Sequence, residues 1–175
     1  GQFTQTRQTM TDVAEVRVRA AYAGDCEVLA AFNAAMAVET ENKTLDPQAL
    51  RAGVARVLAE PARGFYLVAE IEGVVVGCLM VTFEWSDWRN GDWWWLQSVY
   101  VEPDHRRHGV FRTLYAEVER RAVEHADVVG IRLYVERDNA RAQRTYASLG
   151  MHEDHYRMYA KPLRKLTGSS IDGDA

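Results

Sequence analysis

The sequence predicts one α/β domain built on a mixed, mostly antiparallel sheet with helices on both faces. Two patterns carry that expectation. The N-terminal half holds helical spacings followed by consecutive strand-like segments, and the C-terminal half changes to strand, glycine turn, helix and strand, the mark of an α-crossover. A length of 175 residues fits a single domain with one core.

The elements follow in chain order. Residues 15–20 alternate polar and apolar with the period of a half-buried strand. Asp25 is placed to cap a helix in which Val28, Leu29, Phe32 and Met36 recur at helical spacing, ending near Glu41. Asp46-Pro47 opens a second helix, because Asp accepts from free amides and Pro fits the first turn; Leu50, Val54 and Leu58 mark its apolar side. Segments 65–71 and 74–83 are aromatic and β-branched, and Glu72-Gly73 between them is a hairpin turn. The polar, tryptophan-rich stretch 85–92 reads as a loop. A strongly apolar strand, 93–101, follows and ends before Pro103.

Gly109 precedes a helix with Val110, Leu114, Val118 and Ala122 on one stripe. Residues 129–135 read as a strand, Asp138-Asn139 caps a helix carrying Ala142, Tyr146 and Leu149, and Gly150 stops it. Residues 156–160 have the composition of a sixth strand. The domain is expected over 12–163. Residues 1–11, with a processed or engineered beginning, and the polar tail 164–175 are expected to be disordered.

Just under half the residues are apolar and the net charge is −4, an ordinary globular composition with no pull toward nucleic acid. No run approaches the roughly 18 apolar residues of a membrane span, and the first residues lack the apolar core of a secretory signal. A cytoplasmic protein is expected, with Cys26 and Cys78 as reduced thiols. The histidines lack the spacing of a zinc site, so no metal is expected.

The run Arg106-Arg107-His108-Gly109-Val110-Phe111-Arg112 lies between a strand end and a helix start. Free helix-start amides and the positive end of the helix dipole make an anion pocket there. Arg106, Arg107 and Arg112 add charge, and Gly109 lets the backbone approach a phosphate. Arg106-x-x-Gly109 is followed downstream by Asn139-x-x-Ala142 and Tyr146-x-x-x-Gly150-Met151. With these motifs, residues 16–160 resemble the GNAT superfamily of acetyl-CoA-dependent N-acetyltransferases. The family's turn reads Arg or Gln, two residues, Gly, one residue, then Gly or Ala; Phe111 stands at the last place.

The resemblance implies a single-domain acyl-CoA N-acyltransferase fold with acetyl-CoA as co-substrate. It implies a splayed sheet, in which the strands bearing Val99 and Val135 part to open a slot for pantetheine along Ser98, Val99, Tyr100 and Val101. The pyrophosphate would lie on residues 106–112, Asn139 would join the cofactor set, and Tyr146 would be the acid that protonates the departing thiolate. Polyamine-type members carry a basic Glu where this chain has Gln97, so the leading base candidate becomes Glu84, with Glu39 and Glu41 also weighed. Residues 84–91 resemble the Glu-Trp-Ser-x-Trp loop of diamine and thialysine acetyltransferases. On that likeness Glu39, Glu84, Trp85, Asp87 and Gln97 face a small-molecule cationic amine, aided by cation–π attraction. The run Trp93-Trp94-Trp95 reads as packing, and a homodimer is expected from the family and that apolar strand. Two alternatives stand beside this reading. Gln97 and Phe111 motivate a non-catalytic acyl-CoA sensor, and an open groove would suit a protein or peptide N-acetyltransferase.

Overall fold

The computed structural model describes residues 14–164, so residues 1–11 and the tail beyond 164 lie outside the described residues. The chain runs β1 (Val16–Ala20), α1 (Cys26–Glu41), α2 (Pro47–Ala59), β2 (Gly64–Ile71), β3 (Val74–Ser86), β4 (Gly91–Val101), α3 (Val110–Glu124), β5 (Val128–Arg132) and α4 (Ala140–Ser148). Sheet order equals chain order, antiparallel from β1 to β4 and parallel between β4 and β5. Helix α3 is the crossover that parallel pairing requires.

Local chemistry sets most boundaries. Asp46 Oδ1 accepts from the Gln48 amide at 3.0 Å and Pro47 fills the first turn, so α2 begins with a free amide met. Asn139 Oδ1 does the same for Ala142 at 3.1 Å at the head of α4. Glu72 and Gly73 take φ 51 and 79, the left-handed pair that a two-residue hairpin turn needs. Asp25 behaves differently from its expected role. It makes no cap bond to α1, because Arg19 and the Tyr22 amide hold its two carboxylate oxygens at 2.8–2.9 Å.

Two apolar layers sandwich the sheet. On one face α3 lays Val110, Leu114, Val118 and Ala122 against Leu67, Leu79, Val81, Trp94 and Leu96. On the other, α1 and α2 bring Leu29, Phe32 and Val54 onto Tyr66, Val68, Cys78 and Tyr100. Leu29, Leu67, Leu79 and Leu114 are fully buried, and each side chain contributes about 2 kcal/mol through lost apolar surface.

Three segments depart from the sequence reading. Strand β3 continues to Ser86 and β4 starts at Gly91, with Trp85 opposite Asp92, so the expected loop is largely hairpin closed by a short turn. Tryptophan suits a pleated, half-exposed surface, which explains why a polar-looking stretch stays in the ladder. Strand β5 ends at Arg132, short of residue 135. Residues 156–160 form no strand, and the described sheet has five strands where six were expected. Strand composition describes a preference: residues 156–160 stay exposed and make no ladder with the open edge of β5.

Asp25 is the one buried charged residue among the described residues, at 4% exposure. The Arg19 guanidinium beside it holds its carboxyl below the ordinary carboxylate range, outweighing burial, which acts in the other direction. A carboxyl with a depressed folded pKa stabilises the fold above its unfolded pKa and loses that contribution as pH falls through the folded value. Arg19→Met is therefore expected to destabilise the protein by about 2–3 kcal/mol at neutral pH in urea unfolding. The gap to the parent should narrow as pH drops below the ordinary carboxylate range.

Candidate active site

Strand β4 carries one residue more than β3 at its middle. Cys78 pairs with Tyr100 and Met80 with Gln97, so Leu79 alone faces Ser98 and Val99, and Ser98 takes φ 51. The extra residue reverses the pleat. Before it Trp94 and Leu96 face α3; after it Val99 and Val101 do, while Tyr100 meets Phe32 of α1 with ring centroids 5.0 Å apart. On the opposite edge, β5 pairs with β4 only as far as Trp95 opposite Arg132. Residues 96–101 have no strand on that side. Apart from the Val101 carbonyl, which Arg106 takes, their outward backbone groups are left for another partner.

This open edge leads straight to α3. A 3-10 turn at Pro103–His105 and a tight turn with Arg107 at φ 66 and Gly109 at φ 78 deliver the chain to Val110. No side chain caps α3, so its first amides and the positive end of its dipole favour an anion. A Cβ at Gly109 would meet nothing within 4 Å, so the space above the turn is open to a phosphate. Phe111 leaves it open. Its ring packs on Tyr115 at 6.2 Å and edge-on to Tyr146 at 5.9 Å, inside the α3–α4 layer.

Of the three arginine side chains expected at the phosphate, two are engaged elsewhere. Arg106 donates to the Val101 carbonyl at 2.8 Å and to Glu39 at 2.7 Å, and lies over the Tyr100 ring. Arg112 donates to Ser148 of α4 at 2.7 Å. Arg107 has no side-chain partner among the described residues, and His108 is exposed beside it.

The carboxylates expected near the amine are also paired. Glu84 accepts from Arg132 at 2.6 Å, and its cross-strand partner Trp93 lies five residues before Ser98, roughly 17 Å of strand. Arg132 itself covers the Trp93 ring at 3.8 Å. Glu39 accepts from Arg106 and from the Tyr100 hydroxyl at 3.4 Å. Trp85 and Asp87 are exposed at the far hairpin end, and Gln97 donates to Thr82 at 2.7 Å. Trp94 is buried, while Trp93 and Trp95 are half-buried on the opposite face. The Asn139 oxygen serves the α4 cap. Burial pushes the Tyr146 phenol above its ordinary pKa.

The acetyltransferase (GNAT) family pattern matches residues 30–151, from within α1 to the residue after Gly150. This chain belongs to the GNAT family. A possible acetyltransferase from Clostridium difficile 630 superposes on it with TM-score 0.81 at 41% identity, over 85% of this chain and 98% of that one. Two more distant structures share the fold. A probable acetyltransferase is 22% identical (TM-score 0.75, 85% and 98% covered), and AAC(6')-Iy in complex with the bisubstrate analogue CoA-S-monomethyl-acetylneamine is 17% identical (TM-score 0.68, 85% and 99% covered). Comparison with curated proteins gives no match.

The GNAT chain is thus an acetyl-CoA-dependent N-acetyltransferase, and its parted β4–β5 edge above an uncapped α3 fits that co-substrate. Sequence reasoning passed over Arg132, whose signal was a charged side chain at the end of an otherwise apolar strand. Replacing Arg107 by Ala should weaken acetyl-CoA binding by about 1 kcal/mol, roughly fivefold in dissociation constant by calorimetry. Arg112→Ala should have a smaller effect.

Proposed function

We propose that this GNAT enzyme transfers the acetyl group of acetyl-CoA to the amino group of a small molecule by direct attack at the β4 bulge, with Tyr146 as general acid. The observation that carries the reading is the parting of β4 from β5 immediately before the bulge and the phosphate turn. Pantetheine along residues 98–101 and a pyrophosphate on the turn 106–112 then lie on one continuous path. Backbone amides freed at the bulge would donate to the thioester oxygen as it gains negative charge. The amine nitrogen forms its bond to the carbonyl carbon, the C–S bond breaks, the thiolate takes the Tyr146 proton, and the proton that the nitrogen sheds on becoming an amide returns through water to the tyrosinate.

Two features favour direct transfer from an uncharged amine. Burial pushes the Cys78 thiol up to about 12, so the cysteine beside the bulge stays protonated and is a poor acetyl carrier. Gln97 cannot accept a proton, and Glu84 is held by Arg132. Glu39 is likewise held, by Arg106, so the acceptor is read as an amine that arrives already neutral. A cytoplasmic homodimer accompanies the main reading. It is supported by two free cysteines and by the exposed Tyr156, Met158, Tyr159 and Leu163.

A calorimetric titration with acetyl-CoA, repeated with pantetheine lacking the nucleotide pyrophosphate, tests the donor site; binding should require the pyrophosphate. Tyr146→Phe should lower kcat at least tenfold with acetyl-CoA affinity nearly unchanged. Tyrosine donates only while protonated, and its pKa is raised. The parent's rate should therefore persist through neutral pH and fall only above the ordinary tyrosine range, a limb absent from Tyr146→Phe. Equal rates in the two proteins across pH would remove Tyr146 from the acid role.

A further inference from the structure

We propose that the Asn33 amide oxygen receives an N–H of the acceptor amine and holds its nitrogen at the β4 bulge. The inference rests on the reading that acetyl transfer takes place there.

Asn33 lies on α1 within the sheet-facing stripe made by Leu29, Ala30, Met36 and Ala37. A polar side chain is out of place there unless it has partners. Its Nδ2 donates to the Tyr66 hydroxyl at 3.2 Å. Tyr66, at 3% exposure, lies cross-strand from Met80, which in turn pairs with Gln97 beside Ser98. The Asn33–Tyr66 polar chain thus joins α1 to β2 next to the bulge of β4.

One atom of that chain is left over. Asn33 Oδ1 is buried and has no hydrogen-bond partner among the described residues. Buried acceptors are nearly always satisfied, so this oxygen points to a donor the protein does not supply. Neighbouring donors are already committed, since the Cys78 thiol is directed to the Ser98 carbonyl at 3.5 Å and Gln97 Nε2 to Thr82. An amine at the bulge carries the N–H groups that fit. An amide oxygen accepts such a hydrogen without taking the proton, and so orients the nitrogen lone pair while remaining neutral. That role suits a site whose bulge has no unpaired carboxylate.

Hydroxylamine is a suitable probe, because it is small and mostly uncharged near neutral pH, and its product, acetohydroxamate, is read colorimetrically. In the Asn33→Leu protein the KM for hydroxylamine should rise at least tenfold, with the acetyl-CoA dissociation constant by calorimetry within twofold of the parent. Asn33→Asp should restore most of the loss. It returns an acceptor oxygen but not the donor to Tyr66, so a purely structural role would leave both variants equally impaired. Equal impairment overturns the assignment. Parent-like KM in Asn33→Leu also overturns it and gives the oxygen to a bound water. A parent that binds acetyl-CoA yet forms no hydroxamate would instead remove the reading of transfer at the bulge, and this inference with it.

Discussion

At Ser98 the β4 backbone leaves the extended region for φ 51, a conformation that costs a non-glycine residue about 1 kcal/mol or more. Both layers of the molecule hold it there. Leu79, fully buried, sits opposite the doubled position, α3 packs on Val99 and Val101, and α1 packs on Tyr100. Without the extra residue, Tyr100 would face α3 and the valines would face α1, and neither layer would fit. The bulge is therefore enforced by side-chain packing on both faces. The groups it exposes are a by-product of that packing.

The same arrangement explains why basic residues at the turn divide their work. Arg106 fastens the end of β4 to α1 through Glu39, and Arg112 fastens α3 to α4 through Ser148. These contacts hold the turn in place, and the unpaired amides of α3 and Arg107 are left to meet an anion. Phe111, at a place where the family has a small residue, turns its bulk into the α3–α4 layer and braces the Tyr146 ring. A substitution that looks disruptive along the sequence becomes a packing contact once the side chain's direction is known.

Features set by neighbours in the chain were legible in the sequence. The Glu72-Gly73 turn, the Asp46 and Asn139 caps and the start of α3 at Gly109 each follow from residues within a few positions of one another. Features set by distant partners were not. Nothing near Arg106 announces Glu39, 67 residues away, and nothing in the hairpin 84–91 announces Arg132. The sixth strand failed for a related reason: residues 156–160 have strand composition but do not pair with the open edge of β5. In the candidate site, the phosphate turn was readable because it is local. The Asn33–Tyr66 hydrogen bond was not, because it joins α1 to β2, 33 residues apart.

Strand order in this sheet is the order of synthesis. Strands β2, β3 and β4 form a meander of hairpin neighbours, closed by short-range contacts that assemble rapidly, while β1 joins its edge across α1 and α2. Strand β5 is different. It reaches β4 only after the whole of α3 has formed, and it holds on through a few parallel pairs near Asp92–Trp95. The slot between the two strands is thus the last part of the sheet to be assembled and is bounded by its shortest ladder. Breathing of β5 away from the meander would widen the slot and leave the main core intact. A molecule as long as coenzyme A could then enter and leave by sideways opening, without threading end-on through a rigid tunnel.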